Sequence, residues 1–238
     1  MKRWLLVSLA LCLCAFAVSS WIYWFRFAEL PERLPIHWDL YGQPNGWVAR
    51  DQIYWSLFLM PSAMGLIVLL TLVLPWLSPR PFDLDRFRST YGYVMMLIVL
   101  LLGYMHTVIL LGSLRPGSID VGRWMIGGIM IILGLLGNVL GRVRRNFYLG
   151  VRTPWTLASE RVWIETHRLA AWVMVVASAL GMVALVARVP LSVIFVAYIG
   201  AVACLPVAYS WWLYRRLDRQ GKLFADSSAD PLRQNTAV

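Results

Sequence analysis

The sequence predicts an all-α integral membrane protein with six transmembrane helices, both termini in the cytoplasm and a small hairpin-like outer loop between helices 1 and 2. Three observations support this fold class. The 238 residues are 60% hydrophobic and only 14% charged, with a mean hydropathy of +0.65, a composition outside the range of ordinary soluble domains. Six windows lack charged residues, and the basic residues fall unevenly between the segments that join these windows.

The six charge-free windows are the predicted spans. A charged residue at the centre of an inserting helix costs roughly 2.5–3.5 kcal/mol, and about 20 apolar residues cross the hydrocarbon core. The windows are 4–25, 52–79, 89–114, 124–141, 169–187 and 189–214. Residues 1–80 then hold helices 1 and 2 with the outer loop 26–53, residues 81–214 hold helices 3 to 6 with a cytoplasmic loop 142–168, and residues 215–238 form a disordered cytoplasmic tail.

The first window resembles a secretory signal, because Met1-Lys2-Arg3 precedes an apolar run and Ala15-Phe16-Ala17 resembles a cleavage site. The apolar run continues to Phe25, however. An uncleaved signal anchor is therefore favoured over a cleaved signal peptide.

Orientation follows from the basic residues, which accumulate on the cytoplasmic side of short loops. With the N-terminus inside, sixteen of the 22 basic residues are cytoplasmic and six are outside: Arg26, Arg33, Arg50, Arg115, Arg123 and Arg188. The formal charge of +10 then lies mostly on the inner face, where it favours contact with anionic membrane lipids. We predict a multi-pass protein of the bacterial cytoplasmic membrane, without direct nucleic-acid binding.

The outer segment, residues 29–52, predicts a small folded cap. Pro31 and Pro35 favour extended backbone, and Gln43-Pro44-Asn45-Gly46 is typical of a turn. His37, Trp38 and Asp39 suggest a metal or proton site, but two candidate ligands do not make a metal site. A lid with Trp38 and Trp47 at the level of the lipid headgroups is the favoured interpretation.

The segment 146–167 predicts an elbow at which the chain re-enters the membrane. Gly150 permits a turn, and Thr153 followed by Pro154 is a good helix start, because the hydroxyl caps the helix and proline suits its first position. We expect one helix from Pro154 through Glu165 into the fifth span. Trp155 and Trp163 would anchor it at the inner interface.

This part of the chain closely resembles the signature of the SdpI family, the bacterial membrane immunity proteins against sporulation-delaying peptide toxins. The matching residues are Asn138, Asn146, Gly150, Arg152, Thr153, Pro154, Trp155, Thr156, Leu157, Glu160, Trp163, Thr166 and His167. The outer segment resembles a domain of unknown function often found at the N-terminus of these proteins, at Leu30, Pro31, Pro35, His37, Gly42 and Gly46. Two positions depart from the family pattern: Asn45 stands where an acid is expected, and Arg145 where a proline often precedes the asparagine.

The resemblance implies a protein that acts by binding, either protecting against a membrane-acting peptide toxin or relaying its presence to a cytoplasmic, repressor-like partner. The predicted contact residues for toxin or partner are Arg152, Glu160, His167, Asn146, Trp155, Trp163 and Thr156. Arg152 is the strongest of them, because a guanidinium fixed beside a turn can bind a carboxylate or a phosphate. The alternative role for Arg152 is a structural clamp onto Glu160 or Glu165.

Two polar residues lie inside the predicted spans and are candidate functional residues. His106 and Asn138 suggest a proton relay or an ion path, but a neutral histidine bonded to a neighbouring helix is favoured. Gly137-x-x-x-Gly141 indicates close helix packing, across which Asn138 could donate, and makes self-association possible. A small transporter or channel is the alternative function.

Nothing in the sequence predicts an enzyme. The chain has no recognisable catalytic motif, and we predict no cofactor and no metal. Cys12, Cys14 and Cys204 all fall within spans, where they act as small apolar residues.

Overall fold

The computed structural model describes residues 1–77, 87–146 and 148–223. In chain order its helices and strands are α1 (Lys2–Phe25), β1 (Arg33–Trp38), β2 (Pro44–Ala49), α2 (Ile53–Leu77), α3 (Arg88–Leu114), α4 (Val121–Leu140), α5 (Pro154–Ala158), α6 (Glu160–Val186), α7 (Leu191–Ile199) and α8 (Leu205–Arg219). A π-helical turn, Gly200–Cys204, joins α7 to α8.

Six helical segments are long and apolar enough to cross a membrane, so the prediction of a multi-pass membrane protein is confirmed. They are α1, α2 with its preceding turn, α3, α4, α6, and α7 with α8. Large apolar side chains are exposed along them, including Leu180, Val186 and Trp76, as expected for surfaces solvated by lipid. Backbone groups there must be satisfied within the protein, which explains why every span is helical.

The helix α6 packs closely against α4 because a glycine lies at their contact. A Cβ at Gly137 would lie 2.8 Å from the Met174 Cβ. Gly141, by contrast, has no neighbour within 4 Å of such a Cβ. Asn138 is exposed, with no side-chain hydrogen bond among the described residues, so the prediction that it donates across this contact is wrong. The helical period directs it away from the packed face.

Two prolines inside α2 would each leave a carbonyl without its helical donor, since proline has no N–H. Side chains from other helices bind both carbonyls. The Ser19 hydroxyl donates to Leu57 O at 2.7 Å, four residues before Pro61. The Tyr91 hydroxyl lies 3.2 Å from Thr71 O, four residues before Pro75. These bonds tie α1 and α3 to α2.

The two strands pair antiparallel and rest on one end of the helical bundle. The Ser113 hydroxyl donates to Pro35 O, and a Cβ at Gly112 would lie 2.9 Å from the Trp38 ring. At the same end, the Arg123 guanidinium donates to Leu185 O at 3.0 Å and holds the end of α6.

The opposite end of the bundle holds the connection between α4 and α6. Met1 and Phe87 pack with Val143 and Trp163 in one apolar cluster, and Leu223 packs against Val162. The first and last described residues therefore lie on the same side as the connection between α4 and α6. This agrees with an even number of spans, while the cytoplasmic assignment of that side stays a prediction.

Two expectations about chain continuity are wrong. The helix that begins at Pro154 ends at Ala158, because Ser159 is extended with φ −139° and ψ 127°, and α6 starts afresh at Glu160. The predicted disorder from residue 215 is wrong for residues 215–223, since α8 continues to Arg219 and Leu223 is buried. The rest of the predicted tail, 224–238, lies outside the described residues, as does the end of the second window.

Candidate functional site

The connection between α4 and α6, residues 141–159, contains most of the family signature, and we call it the elbow. Asn146 organises its first half and is fully buried. Its Nδ2 donates to Arg144 O at 2.7 Å and to Leu149 O at 3.1 Å. Its Oδ1 accepts from the backbone N–H groups of Tyr148 and Leu149, both at 2.7 Å. All four hydrogen-bonding positions of the amide are thus used to shape the loop.

Gly150, at the centre of the elbow, contacts His167 of α6. Gly150 has φ +107°, a region that favours glycine, and a Cβ there would lie 2.1 Å from His167 Nε2. The N–H of Val151 donates to the same Nε2 at 3.0 Å. Because Nε2 accepts this bond, Nδ1 carries the proton and donates to Trp163 O at 2.8 Å. His167 is therefore a neutral ring that fixes the turn to α6.

Trp163 lies beneath this histidine and is completely buried. The two rings stack with centroids 4.0 Å apart, and the Trp163 indole N–H donates to Val143 O at 2.8 Å. The prediction that Trp163 anchors the chain at the membrane interface is wrong, because the start of α6 turns this side chain into the protein. Trp155 is partly exposed and remains placed for such a role.

In the second half of the elbow, side chains cap the starts of two helices, α5 and α6. Thr153 and Thr156 form a reciprocal capping box at the start of α5, with Pro154 in the first turn, as the sequence predicts. The Thr153 hydroxyl also meets the Ser210 hydroxyl of α8 at 3.1 Å. Ser159 caps α6 and donates to Leu223 O at 3.2 Å. The elbow is thereby fixed to α8 as well as to α6.

Charged side chains cover the outer surface of the elbow and of the first turns of α6. Arg145 pairs with Glu160 at 3.2 Å and donates to Leu157 O at 3.1 Å. Arg168 pairs with Glu165 at 3.5 Å. Arg152 is exposed and makes no ion pair or side-chain hydrogen bond within residues 1–77, 87–146 and 148–223. The alternative in which Arg152 clamps Glu160 or Glu165 is therefore wrong: these acids pair with other arginines.

A cleft of about 620 Å³ lies beside the elbow, at the start of α3. Arg142 and Arg144 line it together with Arg88, Ser89 and Thr90. Cationic side chains and the N–H groups at a helix start both favour an anion. A carboxylate or a phosphate headgroup suits this cleft better than a neutral or cationic group.

The structure separates the seven predicted contact residues by burial. Arg152 and Glu160 are exposed and Trp155 is partly exposed, whereas Asn146, Thr156, Trp163 and His167 are buried. A role in partner contact stays a prediction for all seven, but burial limits direct contact to the first three. The sequence interpretation missed Arg145 and Ser159 as structural residues. Serine directly before an acidic first turn is a helix-start pattern that identifies Ser159.

The predicted residues of the outer loop, His37, Trp38 and Asp39, lie at the hairpin formed by β1 and β2. His37 is hydrogen-bonded to Asn45, the residue that replaces the expected acid. Asp39 accepts from the backbone N–H groups of Tyr41 and Gln43 at 2.8 and 2.9 Å. Both side chains thus support the turn, and the described residues hold no group of three or more potential metal ligands. Trp38 packs on α3 and Trp47 is exposed; their place at the level of the lipid headgroups stays a prediction.

Inside the bundle, His106 is buried and its Nε2 lies 3.0 Å from the Ser19 hydroxyl of α1. This contact agrees with the favoured interpretation of a histidine bonded to a neighbouring helix. Asn138 lies on the exposed surface of α4. The structure therefore does not bring the two intramembrane polar residues together.

Comparison with known proteins gives the same assignment as the sequence motifs. The SdpI/YfhL protein family matches residues 142–210, and DUF1648, a domain of unknown function, matches residues 10–65. The chain is 28% identical over 176 residues to the immunity protein SdpI of Bacillus subtilis (strain 168), covering 74% of this chain and 78% of that protein. No solved structure matches. The resemblance to the SdpI family, together with its N-terminal domain of unknown function, is thus confirmed for this membrane protein.

Proposed function

We propose that this protein confers immunity to a membrane-acting peptide toxin by binding, or relays the toxin's presence to a cytoplasmic partner, through the charged surface of the elbow. Similarity to the immunity protein SdpI supports the class of function. The choice of this surface rests on the environment of Arg152. It is an exposed guanidinium without an ion pair in the described residues, on a turn that Gly150 and His167 hold rigid.

A rigid turn favours binding because little conformational freedom is lost when the partner arrives. The guanidinium offers paired N–H donors that match a carboxylate or a phosphate. Arg142 and Arg144 add positive charge beside the adjoining cleft. The proposed partner therefore presents acidic groups, either on a peptide segment or on a protein that docks from the cytoplasm.

Binding rather than catalysis is part of the proposal. The imidazole of His167 is held inside the elbow by bonds to both ring nitrogens, and Glu160 is engaged by Arg145. The alternative of a small transporter receives no comparable support, since His106 and Asn138 do not form one polar path.

The test compares two single variants in a toxin-sensitive bacterial host, with membrane abundance measured in parallel. Arg152→Ala is expected to lose protection or signalling at normal abundance, because a contact residue contributes more to the complex than to the fold. The matched control is Arg161→Ala, which removes another exposed arginine at the same end of the bundle and is expected to retain function. Arg152→Lys, which keeps the charge but not the planar donors, should be intermediate.

Full protection by Arg152→Ala at wild-type abundance would contradict the choice of surface. Glu160→Gln is a less direct test than the sequence suggests. It also removes one ion-pair partner of Arg145, whose side chain is only 9% exposed, and so perturbs the elbow itself.

A further inference from the structure

A groove opens between α1 and α3 in the half of the bundle that carries the hairpin, away from the elbow. Its volume is about 520 Å³, within the range of small-molecule sites. The walls are largely apolar, with Leu11 and Val18 from α1, Met64 from α2, and Leu100 and Leu110 from α3. Since these helices are membrane spans, the groove lies within the bilayer.

His106 differs from the other polar side chains of the groove, Tyr104 and Thr107, whose hydroxyls already donate to backbone oxygens. His106 lines the groove, although it is only 3% exposed. Its Nε2 contacts Ser19 Oγ at 3.0 Å, and Ser19 Oγ lies 2.7 Å from Leu57 O.

The proton positions of this chain of contacts follow from Pro61. Because Pro61 has no N–H, Leu57 O lacks its helical donor, and the single hydroxyl proton of Ser19 fills that place. Ser19 Oγ is therefore an acceptor towards His106, whose Nε2 must carry the N–H. The other ring nitrogen, Nδ1, is left as an acceptor, and the described part of the chain offers it no hydrogen-bond partner.

An unpaired acceptor in a hydrocarbon environment is unfavourable. A lipid acyl chain can fill the groove but has no donor for Nδ1. The backbone of a transmembrane helix cannot supply the donor, because its N–H groups are already bonded within the helix, so only a side chain of such a helix could reach Nδ1. A charged donor would carry the cost of its own desolvation. A molecule with an apolar body and a neutral hydroxyl group can pack against the apolar walls and donate a hydrogen bond to Nδ1.

We infer that this groove binds a lipid-soluble molecule with an elongated apolar body and a hydroxyl group, which donates to His106 Nδ1. The site is separate from the elbow and does not depend on the proposed immunity function. Ser19 and Pro61 act as positioning residues, because they set which nitrogen of His106 accepts.

The experiment uses the purified full-length protein in phosphatidylcholine nanodiscs, with hexadecanol that carries a photoreactive diazirine in its chain. Labelled residues are located by mass spectrometry, and unlabelled hexadecanol is compared with hexadecyl methyl ether as competitor. The two competitors have similar apolar bodies, but only the alcohol donates a hydrogen bond. We expect labelling on the groove-lining residues of α1 and α3, with the alcohol competing about 2- to 10-fold better than the ether.

Three variants complete the test. His106→Phe should abolish the preference for the alcohol, and Thr107→Trp should block labelling from the rim of the groove while leaving His106 in place. Ser178→Ala is the matched control, because it removes a different buried contact, Ser178 with the Tyr198 hydroxyl at 3.0 Å, and should retain the preference. Equal competition by alcohol and ether in the wild type would overturn the hydroxyl assignment. Labelling spread evenly over all lipid-facing helices would overturn the site.

Discussion

Adding a single methyl group at Gly150 is predicted to destabilise the elbow. In Gly150→Ala the new Cβ would lie 2.1 Å from His167 Nε2 and 3.0 Å from His167 Cδ2. The histidine cannot move away easily, because it is buried, stacked on Trp163 and bonded to Trp163 O. The substituted residue would also have to keep φ near +107°, which an L side chain rarely adopts.

The expected cost has two parts. A non-glycine residue at positive φ costs about 1–3 kcal/mol. If the turn shifts to avoid the clash, the part-buried Val151 N–H loses its bond to His167, and leaving such a donor without a partner costs roughly 1–3 kcal/mol. We therefore expect Gly150→Ala to lower the free energy of unfolding by about 2–6 kcal/mol.

The assay is denaturant-induced unfolding of the purified protein in detergent, combined with limited proteolysis of the elbow. Gly141→Ala is the matched control in the same connection, since Gly141 has φ −64° and no atom within 4 Å of an added Cβ. That change should be neutral or stabilise by up to about 1 kcal/mol. Equal stability and equal protease resistance of the two variants would refute the assigned roles of Gly150 and His167.

Three further predictions follow from the same structure. Reporter fusions should report an outer location after Arg50 and Arg188 and a cytoplasmic one after Arg88, Arg161 and Lys222; a cytoplasmic signal at Arg50 would contradict the orientation. Truncation after Leu223 should leave membrane abundance intact, whereas truncation after Lys222 should lower stability by about 1.5–3 kcal/mol, because it removes a buried leucine that accepts from Ser159. Ser19→Ala should destabilise by roughly 1–3 kcal/mol, and adding Pro61→Ala should recover much of this by giving Leu57 O a backbone donor; additive losses in the double variant would contradict the proposed link.

The spans were predictable from the sequence because the cost of burying charge in hydrocarbon acts on each residue separately. The start of α5 was predictable for a similar reason, since capping by Thr153 and the position of Pro154 are local effects. Burial of Trp163 was not predictable in this way. A tryptophan near a span end suits the membrane interface equally well, and only the direction in which Ser159 restarts the helix places it under His167.

The role of Arg145 was missed for a related reason. Its partner Glu160 is fifteen positions away along the chain, and the spacing becomes meaningful only after the elbow has folded. The sequence instead offered Arg152 as a partner for the same acid. The sequence does not show which of Arg145 and Arg152 pairs with Glu160, and only the folded structure does.

The fold of the elbow explains most of the residues that carry the family resemblance without reference to a partner. Asn146, Gly150, Thr156 and His167 shape the loop from inside, so their resemblance to the family signature indicates mainly a loop of this shape. Arg152 is different, because its side chain has no structural partner in the described residues. An exposed residue on a connecting loop that the fold does not require is the better candidate for contact with a partner. Immunity is therefore better tested at Arg152 than at the buried residues, whose loss would remove the elbow together with whatever it binds.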